Sequence, residues 1–319
     1  MRAGTCPRLV AALVSAATAL AASATLAGCR ELAPATDAAI DGDGWRYAPP
    51  RTDAVAAVGS PDTLEIATWN IENFPADAGT PRYVADLIAS LDLDVIVVQE
   101  IADEEAWREL LERLREHDGV LSTHVYGATS YQKLGVIYRA GLITPGAPRL
   151  LFPTDPYAFP RPPLSLPIAI DDGVHPVRRL ELIGVHLKAG VAPEDGQRRR
   201  AAVEALDAHL RAQVDGGGED DVILAGDYNE IVTTAGGQAN LAAILGAPDR
   251  YTLRTRPNAD GGEISFVPSG RLLDHITTTT ALADELAGAR VVIPRLHASY
   301  SGYLTHVSDH LPVILVAPL

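Results

Sequence analysis

The chain has 319 residues, 47% of them hydrophobic and 21% charged, with 27 Gly and 23 Pro. That apolar content suits a buried core in one large or two ordinary domains, and it excludes a disordered chain, a collagen-like repeat and a coiled coil. Lys and Arg number 26 against 41 Asp and Glu, and a net charge of −15 excludes polyanion binding through overall charge. Any phosphate substrate then needs a local basic patch or bound cations.

Residues 1–28 read as a secretory signal, with Arg2 and Arg8 and no acid at the start, an uncharged apolar middle and small residues at the end. Leu26-Ala27-Gly28-Cys29 resembles the lipobox of bacterial lipoproteins, which makes Cys29 the lipidated first residue of the mature chain. The protein is then exported, and lipid-anchored to the bacterial cell envelope or secreted. An uncleaved anchor is the alternative, since about twenty apolar residues span a bilayer. The only cysteines, Cys6 and Cys29, lie in this segment, so no disulfide framework holds the folded part. Residues 29–61, rich in Ala, Pro, Asp and Gly, read as a flexible tether, with Trp45 and Tyr47 as candidates for packing on the domain. Residues 62–319 suit a single domain.

Within it, residues 64–69 alternate like a strand, and residues 82–91 form a helix after Pro81, with Val84, Leu87, Ile88 and Leu91 at helical spacing. A buried strand over 94–99 and a charged amphipathic helix over 103–116 follow, then strands over 134–139, 164–170 and 180–187. The longest helix, 193–214, opens with Pro193, Glu194 and Asp195 and closes at Gly216-Gly217-Gly218. Strands over 222–225, 272–279, 290–293 and 311–316 complete the set. Runs of strands broken by a few helices predict two packed sheets with helices outside, not strict βαβ alternation.

Several of these strands end in carboxylates, amides or imidazoles. The first ends in Thr68-Trp69-Asn70-Ile71-Glu72-Asn73, the second in Gln99-Glu100, and later ones in His186-Leu187-Lys188 and Gly226-Asp227-Tyr228-Asn229-Glu230. Leu273-Asp274-His275 places an acid within an apolar strand, and Ser308-Asp309-His310 precedes the last one. Any one of these is ordinary turn or cap chemistry. Strand ends on one rim converge, however, and together they predict one oxygen-rich cleft suited to a hard divalent cation such as Mg²⁺. The absence of thiolates and of a His-rich triad weighs against zinc.

In that order and combination the motifs resemble the endonuclease/exonuclease/phosphatase superfamily, and most of all its branch of bacterial membrane nucleases related to pancreatic-type deoxyribonuclease. The resemblance covers the whole domain. It implies an α/β fold, a four-layered α/β-sandwich with two central mixed, mostly antiparallel sheets flanked by helices. It also implies phosphoester hydrolysis with Mg²⁺ or Mn²⁺, one or two ions, with Ca²⁺ also compatible. Glu100 corresponds to the central metal carboxylate, with Asn70 and Asp309 near the same ion. Asp227 and Asn229 correspond to the pair at the scissile phosphate and attacking water, His310 to the histidine that activates water or contacts phosphate, Asp274 to its orienting carboxylate, and His186 to the second histidine. Either His310 or Asp227 serves as general base in such sites. Arg161, Lys188 and Tyr131-Gln132 are candidate phosphate or groove contacts; for Lys188 a solvated strand-end lysine is the alternative. His275 reads as structural, and Arg198-Arg199-Arg200 as a solvated helix face.

The motifs lead to nucleic acid, DNA or RNA, as substrate of a monomeric surface-tethered nuclease. With only 5% aromatic residues, recognition rests on backbone and shape more than on base stacking. A phospholipid or phosphoinositide phosphoesterase using the same residues is the rival, with the Pro-rich stretch 150–167 as its only candidate membrane-facing loop. A non-catalytic binding module is the third reading.

Overall fold

Strands buried on both faces read as near-continuous apolar runs, and the run Val95-Ile96-Val97-Val98, each at most 1% exposed, is of this kind. The computed structural model describes residues 46–125 and 132–319. The segment read as a signal, Cys29, Trp45 and Tyr131 lie outside the described residues. In chain order the strands are β1 (Thr63–Phe74), β2 (Val95–Ile101), β3 (His117–Leu121), β4 (Lys133–Arg139), β5 (Ile143–Pro145), β6 (Arg149–Leu150) and β7 (Leu164–Ile170). They continue as β8 (Arg178–His186), β9 (Val222–Asp227), β10 (Tyr251–Leu253), β11 (Asp274–Thr279), β12 (Arg290–Val292) and β13 (Val313–Pro318). The first sheet has the order β12-β13-β1-β2-β4-β3 and the second β10-β11-β9-β8-β7-β5, with β6 pairing β7.

Both sheets are mixed and mostly antiparallel, and each holds one parallel pair near its middle, β1/β2 and β8/β9. A parallel pair needs a crossover, which helices α1 (Thr80–Leu91) and α3 (Pro193–Asp215) supply. Helix α2 (Glu104–Arg113), capped by Asp103 accepting from the backbone N–H groups of Glu105 and Ala106, packs beside α1. The apolar faces of α1 and α2 belong to one buried cluster with residues of both sheets, whereas Ala202, Val203, Leu206 and Leu210 of α3 close a second core with β8 and β9. The result is the expected four-layered α/β-sandwich. The sheets approach closely where Gly184 of β8 faces β2: a Cβ there would lie 2.8 Å from Val97 Cγ1.

Two local expectations give way to tertiary contacts, and one strand carried no expectation. Residues 46–61, assigned to the tether, lie along the helical layer: Arg51 N–H donates to Asp86 (2.8 Å), Ala54 N–H to Ser90 (3.0 Å), and Val58 and Gly59 N–H to Leu91 O. Tyr47 is buried, with the Arg113 guanidinium 4.0 Å from its ring centroid. Low local periodicity there reflects a strap held by backbone hydrogen bonds, which side-chain pattern does not report. Arg199, placed on a solvated face, is buried against Glu230. His117–Leu121, unassigned in the sequence, is an edge strand whose half-buried residues lack the apolar alternation of the others.

Candidate active site

Strands β1 and β9 face each other across the sandwich, and the polar residues at their ends meet. Asn70 Nδ2 of β1 donates to Glu100 Oε1 and to Asp227 Oδ2, each at 3.2 Å. Its Oδ1 accepts from the backbone N–H of Glu72 (3.0 Å). Glu100 would point away from this face by simple alternation, since Gln99 points inward and bonds Thr68. A register shift where β2 pairs β1 and β4 re-aims it, and Glu100 takes φ 66. Glu72 (φ 40), Asn73 (φ 45) and Asn229 (φ 52) share the left-handed region, so backbone strain gathers at this rim.

Asp227 closes β9. Its Oδ1 accepts from Asn229 N–H (2.8 Å), and Asn229 Nδ2 donates to Leu187 O (3.2 Å), linking the exits of β8 and β9. His186 Nε2 lies 3.8 Å from Glu100 Oε1 and 3.7 Å from Asp227 Oδ2. Asp274 opens β11 opposite Asp227 in register, and its Oδ2 meets His310 Nδ1 at 2.7 Å. Ser308 carries the last loop: its Oγ donates to Asn70 O (2.7 Å) and accepts from His310 N–H (2.9 Å). Asp309 Oδ1 then lies 3.9 Å from His310 Nε2. The structure thus gathers Asn70, Glu100, His186, Asp227, Asn229, Asp274, Asp309 and His310 around one cleft.

Crowding of acids in a desolvated place sets their protonation. Burial, then the Asp274 charge, pushes Asp227 well above the usual carboxylate range. Burial likewise raises Asp309, with Glu100 adding to it. For His310 burial opposes the charged ring, but Asp274, Asp227 and Asp309 together carry it up to about 10. Burial, then the charges of Arg161 and His310, holds His186 well below the usual imidazole value, so it is neutral. Glu100, Asp309 and Asp227 are hard oxygen donors in a set that repels itself, and a divalent cation fits that set, with Asn70 holding two of the carboxylates through its amide NH2. His310 and Asp274 are committed to one another and fit an orienting pair better than a ligand pair.

The outer candidates divide. Arg161 sits within electrostatic reach of His186 and donates to Gln132 Oε1; Gln132 Nε2 donates to Asn73 Oδ1 (2.6 Å), and Asn73 N–H to Glu100 Oε2 (2.9 Å). This chain of polar groups lines the rim from β7 to β2. Lys188 does not share the cleft-facing direction of His186, because β8 ends at His186 and the ammonium pairs with Asp195 at 3.0 Å. His275 is buried, with Nδ1 2.8 Å from Thr255 Oγ1 and Nε2 3.0 Å from Glu230 O, as a structural histidine would be. Glu72 carried no assigned role, yet its Oε2 accepts from Asp309 N–H (2.9 Å), and burial followed by Asp309 raises its pKa. Its place two residues after Asn70 was the available signal.

Two mixed sheets with a buried, acid-rich cleft at one rim define a hydrolase acting on phosphoester bonds with a divalent metal. The chain belongs to the Endonuclease/Exonuclease/phosphatase family, which it matches over residues 67–310. Among solved structures it is similar to D. rerio TDP2 complexed with single strand DNA product (16% identity, TM-score 0.55, covering 80% of this chain and 98% of that one). It is also similar to the human Nocturnin catalytic domain with bound sulfate anion (14%, 0.60, 85% and 100%). A third is an endonuclease/exonuclease/phosphatase from Bacteroides vulgatus (16%, 0.56, 81% and 99%). No curated protein matches the sequence.

Proposed function

We propose that the chain is an exported, envelope-tethered nuclease that cleaves the phosphodiester backbone of DNA, with RNA as a further substrate. The observation that carries this reading is the pairing, in one cleft, of the Asn70–Glu100–Asp227 cluster with the oriented Asp274–His310 couple. Glu100, Asn70 and Asp309 would hold Mg²⁺ or Mn²⁺, which supplies charge neutralisation and polarises the phosphoryl group.

The chain's own residues account for the rest. Asp227 and Asn229 face the attacking water, whose oxygen bonds phosphorus as the P–O bond to the leaving group breaks. The water's proton passes to the Asp227 carboxylate, since the His310 ring beside Asp274 is already charged, and the leaving oxygen takes its proton from a solvent water. Asp274 holds the His310 ring in place and stabilises its charged form. His186, buried and neutral, presents Nε2 toward the same carboxylates and suits contact with the phosphate or leaving oxygen. Support for nucleic acid comes from the TDP2 relative solved with single strand DNA product. The route to the surface rests on the signal segment and Cys29.

A panel of plasmid DNA, RNA, sphingomyelin and phosphoinositides, each with Mg²⁺ and with chelator, tests the reading. The expected result is metal-dependent cleavage of nucleic acid that weakens steeply with salt. Turnover of the lipids with nucleic acid untouched would overturn it. Labelling with palmitate that is lost in Cys29→Ala is expected for the envelope anchor.

A further inference from the structure

The strongest feature outside the cleft is a buried ion pair behind it. Arg199, on the second turn of α3, and Glu230, directly after Asn229, are both nearly sealed from solvent (6% exposed each). Arg199 Nε donates to Glu230 Oε1 at 2.6 Å. Its Nη1 donates to two backbone carbonyls, Lys188 O (2.7 Å) and Gly190 O (2.9 Å), in the loop that leaves His186. Asn240 Nδ2, on helix α4 (Ala235–Asn240), donates to the same Glu230 oxygen at 2.5 Å, and His275 Nε2 lies 3.0 Å from Glu230 O.

One guanidinium therefore holds the exits of β8 and β9 together, and each exit carries a residue of the cleft. His186 ends β8, and Asn229, in the left-handed conformation at φ 52, precedes the anchored Glu230. A strained backbone persists only where its surroundings over-determine it. The anchor on the residue immediately after Asn229 is such a surrounding. A planar fork suits this role because it reaches a carboxylate and two carbonyls at fixed angles, which an ammonium cannot.

We propose that Arg199 and Glu230 are positioning residues that set His186 and Asn229 against the scissile phosphate. The kinetic part of this inference rests on the phosphoesterase reading above; the clamp itself does not. Breaking a buried pair from one side leaves an unpaired charge, whereas replacing both partners by apolar groups of similar volume is often neutral for stability. That asymmetry separates positioning from mere support.

Arg199→Met, Arg199→Lys and the double variant Arg199→Met/Glu230→Met are compared with wild type by thermal melting, amide hydrogen exchange and steady-state kinetics on plasmid DNA. Arg199→Met is expected to lower Tm, and the double variant to regain part of it, since Lys188 O, Gly190 O and the Asn240 amide lose these partners. In the double variant the amides of residues 187–192 and 227–231 exchange faster while those of α1 and β2 do not. Its kcat stays down, on the order of tenfold to a hundredfold as for misplaced reacting groups, with KM little changed. Arg199→Lys recovers Tm more fully than kcat. A double variant that regains wild-type kcat together with Tm, or shows unchanged exchange in both loops, overturns the proposal. Faster exchange of both loops in the double variant, beside a wild type that hydrolyses no phosphoester, would keep the clamp and overturn the phosphoesterase reading instead.

Discussion

The parallel pair β1/β2 carries acids at both of its ends, buried at the start and half-buried at the far end where Glu100 meets Asp227 of β9, and the two ends are built in opposite ways. At the start of the strands, Glu65 and Asp94 are nearly inaccessible, and Glu65 N–H donates to Asp94 Oδ2 (3.0 Å). Arg139 closes this end, reaching Asp94 (2.7 Å), Asp92 (2.6 Å) and Glu116 (3.0 Å) at once. At the far end Glu100 and Asp227 are met by Asn70, by imidazoles and by backbone N–H groups. A permanent arginine satisfies Asp94, Asp92 and Glu116 and makes them inert. An amide and histidines orient them while leaving their charge to be used by a cation and a phosphate. The same residue type at two ends of one strand pair is thus structural or chemical according to what faces it.

Substitutions that exchange these two conditions break the comparison most directly. At the cleft, Asp227→Asn and His310→Ala are each expected to lower kcat on the order of 10³-fold, as for loss of a general acid–base or charge-stabilising group. Tm should not fall in Asp227→Asn, because a buried acid under repulsion is replaced by a neutral amide. Kinetics beside a thermal melt checks both, and full activity in either variant refutes the site assignment.

At the closed end the expectation inverts. Arg139→Met leaves Asp94 buried without its cation and costs about 3 kcal/mol, read by urea denaturation, with kcat unchanged. A stable but inactive Arg139→Met would show that the two ends are coupled.

A further effect lies in pH dependence. Burial, with the Asp94 charge adding, raises Glu65 from 4.5 to about 8. The folded chain therefore keeps a proton there that the unfolded chain loses near pH 4.5. Between these values the native state binds more protons, so the contribution of Glu65 to stability falls as pH rises from about 4.5 to about 8. Glu65→Gln should flatten that decline in denaturation series at pH 5 and pH 8.5. An unchanged slope would mean that Glu65 ionises normally in the fold.

Much of this was legible in the chain itself. Alternation in β1, the both-sided apolar run of β2 and the helical spacing before Leu91 determined the elements, because each is a local pattern with one periodic solution. The order of polar strand ends from Asn70 to His310 determined which side chains belong together, since strand ends on one rim converge. Where a charge goes when the strand stops is another matter. Only the tertiary structure turned Glu100 inward, because a bulge breaks the two-residue period that any reading of alternation assumes. It also sent Lys188 to Asp195, buried Arg199 against Glu230 and laid residues 46–61 on α1, because the partners of a buried charge or a free backbone N–H lie far away along the chain.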